Sequence, residues 1–392
     1  MILRNRSVFL TDGASKLQPG GTTLCGTTQS LDIETTWPLV AIKVFLNITC
    51  AATAPTIVLD GILNALKWVE LIQSPGLPNK KAGARISCSG KFLLDYCHQI
   101  GLNLDTATLH AIAHSGTTGL MTNSGIYRVC YTIPLVHPQV NDPLATRMLF
   151  DVQNHENPPQ LKLTFATLAE MASANTPTAV NAEVYLVRSD MTQKLNSEIL
   201  ADGGYLDYDL FQQDNAVTLG YEGPWAFLVQ GPGRYMGLLG RMYKGGATIT
   251  RGDISRLTAT GSETLWKLTV GGNSQTIRDW RMKYLKTISE ESRVLNSATL
   301  ASSPQTGPAL VAGTLFQEPS NFFLDFLNDG ILPATELGST LDTDRARKSG
   351  LKVEIQGEVI TTATNPHTVQ LGGHRLISPP ELLAKWITVP EQ

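Results

Sequence analysis

The sequence predicts an all-β protein built as two tandem β-sandwiches, with short helices in the connecting segments. Three observations predict it. Charged residues make up only 17% of the 392, while 34 glycines and 21 prolines supply turns. Short apolar runs recur along the whole chain, many of them alternating apolar with polar residues and bounded by turn signals. The order of these runs repeats, so that each half reads as long strands, a helix, an aromatic strand and two alternating strands.

In the first half, "PLVAIKVFLNITCAA" (38–52) and "LKWVELIQS" (66–74) read as strands. Around "GKFLLDYCHQIGL" (90–102), Phe92, Leu93, Tyr96, Cys97 and Ile100 follow helical spacing. "GIYRVCYTIPLVHP" (125–138) alternates Ile126, Arg128 and Cys130 against Tyr127, Val129 and Tyr131. "PQLKLTFATLAEM" (159–171) carries Leu161, Leu163 and Phe165 on one face, and "AEVYLVRSD" (182–190) sets Val184 and Leu186 opposite Tyr185 and Val187. Residues 201–222 are rich in Asp, Gln and Gly without a clear period, which predicts a linker.

The second half continues with strand-like runs at "WAFLVQGPGRYMGLLGRMYKG" (225–245) and "TLWKLTVGG" (264–272). Over "SQTIRDWRMKYLKTISE" (274–290), Ile277, Trp280, Tyr284, Leu285 and Ile288 fall at helical spacing, with Ser274 as a cap. "NFFLDFLN" (321–328) fits a helix or a strand taken alone. Its place in the repeated order predicts a strand, with Phe322, Leu324 and Phe326 alternating with Phe323, Asp325 and Leu327. "GLKVEIQGEVITT" (350–362) and "HTVQLGGHRL" (367–376) close the half as alternating strands.

Composition narrows the function classes. The formal net charge is −3, and the densest basic cluster is "RARK" (Arg345–Lys348), read as a solvated loop, so no sequence-specific nucleic-acid surface is expected. No apolar run reaches the roughly 18 residues that span a bilayer. "MILRNRSVFLTDGASK" does not read as a signal peptide, because Arg4, Asn5 and Arg6 break its apolar stretch. The five cysteines, Cys25, Cys50, Cys88, Cys97 and Cys130, are odd in number and irregular in spacing, which points to buried free thiols in a reducing cytoplasm.

Two tandem sandwiches of eight short strands resemble the double jelly-roll major capsid proteins, the lineage of adenovirus hexon and of membrane-containing tailless phages such as the tectiviruses. "YTIPLVHP" (131–138), "PQLKLTFATLAEM" and "AEVYLVRSD" look like the last three strands of the first roll, and "TIRDWRMKYLKTI" like the helix flanking the second. The likeness runs from about residue 30 to 378. It implies an arm over 1–30, a first jelly roll over 31–200, a linker over 201–222, a second jelly roll over 223–378 and a tail over 379–392. The chain departs from the family in its arm, where Gly-Gly and Thr-Thr replace the formers of a long N-terminal helix.

Several motifs invite a chemical reading. "HAIAH" (His110, His114) lacks the Glu of a metalloprotease helix and reads as loop. Cys97 and His98 are adjacent and so point apart. No His-x-His pair supports a cupin metal site. "GPGRYMGLLG" (231–240) has the wrong glycine spacing for a dinucleotide loop, and strand bends explain its glycines. "RGD" (Arg251–Asp253) is a chance-level tripeptide, and Asn47 of "NIT" sits within a strand. The carboxylate pairs Asp207/Asp209 and Asp342/Asp344 are expected to be solvated in polar loops. No catalytic residue, cofactor or metal ligand is assigned.

The reading is a non-enzymatic structural virion protein made in the host cytoplasm. As a bacteriophage-type major capsid protein it would form pseudo-hexagonal homotrimers of an icosahedral shell. Its partners would be itself, neighbouring capsomers, minor capsid or vertex proteins, and an inner membrane where one exists. The long loops "TATNPHTVQ" (362–370) and "ATELGSTLDTDRARKSG" (334–350) would decorate the shell or lock neighbours. The alternatives are a secreted two-jelly-roll glycan or glycopeptide hydrolase and a carbohydrate-binding host-recognition protein.

Overall fold

The computed structural model describes residues 7–10, 23–33, 37–50, 56–57, 61, 63–74, 83–100, 102, 125–138, 140, 144–152, 155–189, 193–202, 204–217, 225–229, 233–244, 250–251, 265–270, 275–281, 321–327, 341–343, 353–357 and 367–377. The chain folds as two compact units that divide between Phe211 and Gln212.

The first unit holds β1 (Ser7–Leu10), β2 (Thr28–Asp32), β3 (Leu39–Cys50), β4 (Thr56–Ile57), β5 (Leu66–Gln73), β6 (Gly83–Cys88) and helix α1 (Gly90–Gln99). There follow β7 (Gly125–Pro134), α2 (Leu144–Arg147), β8 (Gln160–Phe165), α3 (Leu168–Met171), β9 (Ala172–Ala174), β10 (Ala179–Arg188) and α4 (Gln193–Ala201). The strands form one sheet in the order β1-β10-β3-β7 and another in the order β6-β5-β8-β2, with β4 and β9 as a small pair.

Each sheet buries one face because its strands alternate. On β3, Ile42, Val44, Leu46 and Ile48 are fully buried, while Lys43, Phe45 and Asn47 between them are half-buried. Each such aliphatic side chain contributes about 1.5–3 kcal/mol on leaving water. Val129, Tyr131 and Ile133 on β7, Leu161, Leu163 and Phe165 on β8, and Val184 and Leu186 on β10 keep the expected alternation. On β10 it breaks at Val187, which is also buried, where the register with β3 shifts between Val187 and Arg188. The expected arm is partly sheet: Ser7–Leu10 pairs antiparallel with the edge of β10, and β2 begins before residue 31.

Helix α1 forms where predicted and lies against β5 and β7. Its first residue must be glycine, since a Cβ on Gly90 would collide with the Leu66 carbonyl. The run over 159–171 is not all strand. It turns helical after Phe165 because Thr167 and Glu170 make a reciprocal capping box, a Thr-x-x-Glu signature written in the sequence.

Part of the expected linker is strand. Residues 208–217 form β11 (Tyr208–Val217), along which the chain passes from one unit to the other. Its polar composition hid the strand. Leu210 and Phe211 pair parallel with Ile86 and Ser87 of β6. Side chains two apart on the strand also bond each other, Gln212 to Asp214 and Gln213 to Asn215.

The second unit contains β12 (Trp225–Leu228), β13 (Arg234–Tyr235), β14 (Gly237–Lys244), β15 (Thr250–Arg251), β16 (Leu265–Val270), β17 (Gln275–Arg281), β18 (Asn321–Asp325), β19 (Leu341–Asp342), β20 (Val353–Gly357) and β21 (His367–Leu376). One sheet runs β12-β20-β16-β17; in the other, β14 pairs with β15, β18 and β21.

The helix expected over 274–290 is overturned for residues 275–281, which are strand β17; the remainder lies outside the described residues. Cross-strand pairing outweighs the helical spacing here. Residues 275–281 run antiparallel to β16, with Trp280 in register with Trp266 and Asp279 with Lys267. The strand read over 367–376 is β21, so the loop read over 362–370 stops at His367, where the strand begins.

The ambiguous stretch is strand β18, pairing Asn321–Asp325 with Gly237–Arg241. Its burial is not the alternation expected: Phe323 and Leu324 are both buried, as are Phe326 and Leu327 beyond the strand. Both faces of β18 are covered. Gly237 on β14 leaves room for the Phe323 ring, whose Cζ would stand 2.5 Å from any Cβ there.

Candidate functional site

The buried charges of the first unit were the places to look for chemistry, and the ion pairs among them hold structure in place. Asp207 and Asp209 are buried, not solvated as expected. The Arg85 guanidinium from β6 stands 3.4 Å from the Asp207 carboxylate and offsets its burial at the start of β11. Arg147 on α2 pairs with Asp202 and reaches the carbonyls of Asp202 and Gly204, where α4 ends. Lys91 and Asp95 pair at 2.6 Å one turn apart on α1. Tyr131 is buried against the Leu63 carbonyl at 2.8 Å, and burial pushes its hydroxyl pKa up.

The thiols follow the same logic. Cys25, Cys50, Cys88, Cys97 and Cys130 are all free, and Cys50, Cys88 and Cys97 are buried. Burial pushes the Cys97 thiol well above its ordinary range, and the nearby Cys88 and Cys130 thiols add to it. Cys97 donates to the Thr132 carbonyl at 3.1 Å and stays protonated, a poor nucleophile.

Among the described residues, no group of three or more His, Cys, Asp or Glu side chains is placed to hold a metal ion. His110 and His114, Gly252 and Asp253 of "RGD", Asp344, Arg345–Lys348, the tail over 379–392 and the His98 side chain lie outside the described residues. Asp342 lies on β19, in register with Arg234. Asn47 sits within β3, its amide donating to Glu183. Gly233, at φ +149, packs against Arg375 and Leu376, and Gly237 opens β14, so these glycines serve strand packing.

What remains is surface, and the two sheets of the first unit differ there. Outside β6-β5-β8-β2, cross-strand polar pairs form rows. Lys162 meets Glu70 at 3.2 Å, Gln160 donates to Asp32 at 3.2 Å, and the Thr28 and Thr164 hydroxyls lie 3.1 Å apart, beside half-buried Trp68 and Ile72. Outside β1-β10-β3-β7, the centre is aromatic. Phe45 of β3 and Tyr185 of β10 meet edge to face, 5.2 Å between centroids at 83°. The Tyr185 hydroxyl donates to Glu183 at 2.9 Å, and that carboxylate holds the hydroxyl pKa above its usual range. Sequence reasoning passed over this pair. The signal was present in β3, where Phe45 is the one aromatic residue among the outward positions Ala41, Lys43, Asn47 and Thr49.

No protein-family model matches the sequence, and no curated protein matches it. Solved structures do match the fold. The major capsid protein P2 of bacteriophage PM2 aligns over 92% of this chain and 96% of its own, at 7% identity and a TM-score of 0.50. The capsid of the PBCV-1 virus aligns over 92% of both chains at 11% identity and 0.55. A chain in the atomic structure of Sulfolobus turreted icosahedral virus covers 91% of this one and 87% of itself, at 14% identity and 0.55. The chain therefore has the double jelly-roll fold of viral major capsid proteins.

Proposed function

We propose that this chain is the major capsid protein of a virus, a structural subunit without catalytic activity. The observation that carries the reading is the match to capsid subunits over nine-tenths of both chains, which leaves little of either outside the shared fold. Two similar rolls in one chain give a subunit two similar sides. Three such chains close into a ring of six-fold appearance that tiles a hexagonal lattice. The reading is thus a homotrimeric, pseudo-hexagonal capsomer of an icosahedral shell, made in the host cytoplasm. Its neighbours would be other capsomers, minor capsid or vertex proteins, and an inner membrane where one is present. In this reading the first jelly roll ends before β11, and β11 carries the chain into the second.

Low charge suits large contacts between like subunits. The buried ion pairs serve a subunit that must hold its shape while neighbours press on it. Analytical ultracentrifugation of the purified protein, with electron microscopy of the same sample, tests the proposal. Trimers of hexagonal outline are expected; a stable monomer at micromolar concentration sinks the reading.

A further inference from the structure

We infer that the outer face of the β1-β10-β3-β7 sheet is a surface covered by a second copy of this chain, with Phe45 and Tyr185 at its centre. The inference rests on the capsid-subunit reading and names a contact within it. On this face the aromatic pair is framed by polar groups. Tyr185 and Asn47 both donate to Glu183, and Lys43 stands in register with Tyr185 on one side and Thr132 on the other. An aromatic centre within a polar frame is the anatomy of a protein–protein contact.

The size fits as well. Three strands of 10 to 12 residues and the four residues of β1, at about 3.4 Å per residue and about 4.8 Å between strands, give a face of roughly 600 Å². One partner's share of a standard interface is about 800 Å². The geometry disfavours a sugar. Rings crossed at 83° present no flat platform for stacking, and the Tyr185 hydroxyl is already committed to Glu183. The face also carries both signs of charge, Lys43 and Glu183, so a copy of the same chain meets no single-sign field.

Cys130 lies in register with Phe45 on this sheet and is half-buried, so the native protein carries its own reporter. The test compares wild type, Phe45→Ser, Tyr185→Ser and Lys43→Glu by sedimentation over a concentration series. Thr28→Ala, on the other sheet's outer face, is the control. N-ethylmaleimide labelling of Cys130, read by peptide mass spectrometry, is followed in dilute and assembled wild-type protein. The three variants should weaken self-association by at least about tenfold with far-ultraviolet circular dichroism unchanged, and the control should not. Cys130 should label in the dilute subunit and be protected on assembly.

If Tyr185→Ser and Lys43→Glu assemble like wild type and Cys130 labels equally in both states, the face is not the contact, although the capsid reading stands. If wild type stays monomeric throughout, the capsid reading falls and this inference with it. Binding of a glycan array by wild type, lost in Tyr185→Ser, would assign the face to carbohydrate and overturn the inference. Because Lys43 is an exposed-side charge, it keeps the test decisive should a ring variant fail to fold.

Discussion

Removing the Asp207 carboxylate is the most direct test of how the chain is held where it leaves the first unit. Arg85 and Asp207 expose only 6% and 8% of their side chains and stand 3.4 Å apart. At an effective dielectric near 20, two unit charges at that distance attract by roughly 5 kcal/mol. Most of this offsets the cost of taking both from water, so the pair contributes little relative to two apolar residues. Truncating one partner is different. Asp207→Ala leaves the Arg85 guanidinium buried against lost charge and should cost about 3–5 kcal/mol. In a unit of this size that lowers the melting temperature by roughly 6–20 °C. Urea denaturation gives the free energy directly. The double variant Arg85→Met with Asp207→Leu should recover most of the loss, since neither charge then remains. A cost under about 1 kcal/mol for Asp207→Ala, or a double variant no better than the single, would refute the reasoning.

Phe326→Ala should cost about 3–5 kcal/mol in urea denaturation, because the ring is 4% exposed beside Leu327; a cost below about 1 kcal/mol would mean the site collapses freely. Cys88 and Cys97 should resist maleimide in the native protein at neutral pH and label only in denaturant, since burial raises both thiols; peptide mass spectrometry reads this, and native labelling at the rate of a free thiol contradicts it. The hydrogen bond from Lys67, followed by that from the Thr167 main chain, holds the Glu170 carboxyl below its usual range. Its contribution is therefore present above the ordinary glutamate range and lost as pH falls through the lowered value, which carboxyl NMR titration of wild type and Lys67→Ala checks.

The first unit was more legible than the second, for physical reasons. Where one face of a strand is buried and the other is wet, the sequence must alternate, and Ile42, Val44, Leu46 and Ile48 against Lys43, Phe45 and Asn47 do so. Where both faces are covered the alternation disappears, as at Phe323 and Leu324, and only position in the repeated order gave the strand away. The helical spacing of Ile277 and Trp280 misled because the segment pairs as a strand with β16, a pairing that local pattern does not encode. The polar run over 208–217 hid β11 for a related reason. The carboxylate that precedes it, Asp207, is buried against an arginine that lies more than a hundred residues earlier. The candidate surface was half legible: Phe45 stands out among outward positions of β3, but its partner Tyr185 becomes a neighbour only through the β3–β10 register.

That register also bears on why a face, and not an edge, is the proposed surface for assembly. An open sheet edge offers a row of main-chain donors and acceptors to any strand that arrives, and such pairing extends without a set stopping point. In the first unit the edge of β10 is occupied by the chain's own Ser7–Leu10, which pairs with Tyr185–Arg188. The β10 edge is closed by four residues of arm just where Tyr185 turns its ring to the outer face. Contacts through a face depend on side chains, and side chains fix both which partner binds and where. Phe45 and Tyr185, framed by Lys43, Asn47 and Glu183, supply that kind of definition, with the Tyr185 hydroxyl and the Asn47 amide already bonded to Glu183 before any partner arrives. A subunit that must join a fixed number of copies and no more is better served by such a face than by an unpaired strand.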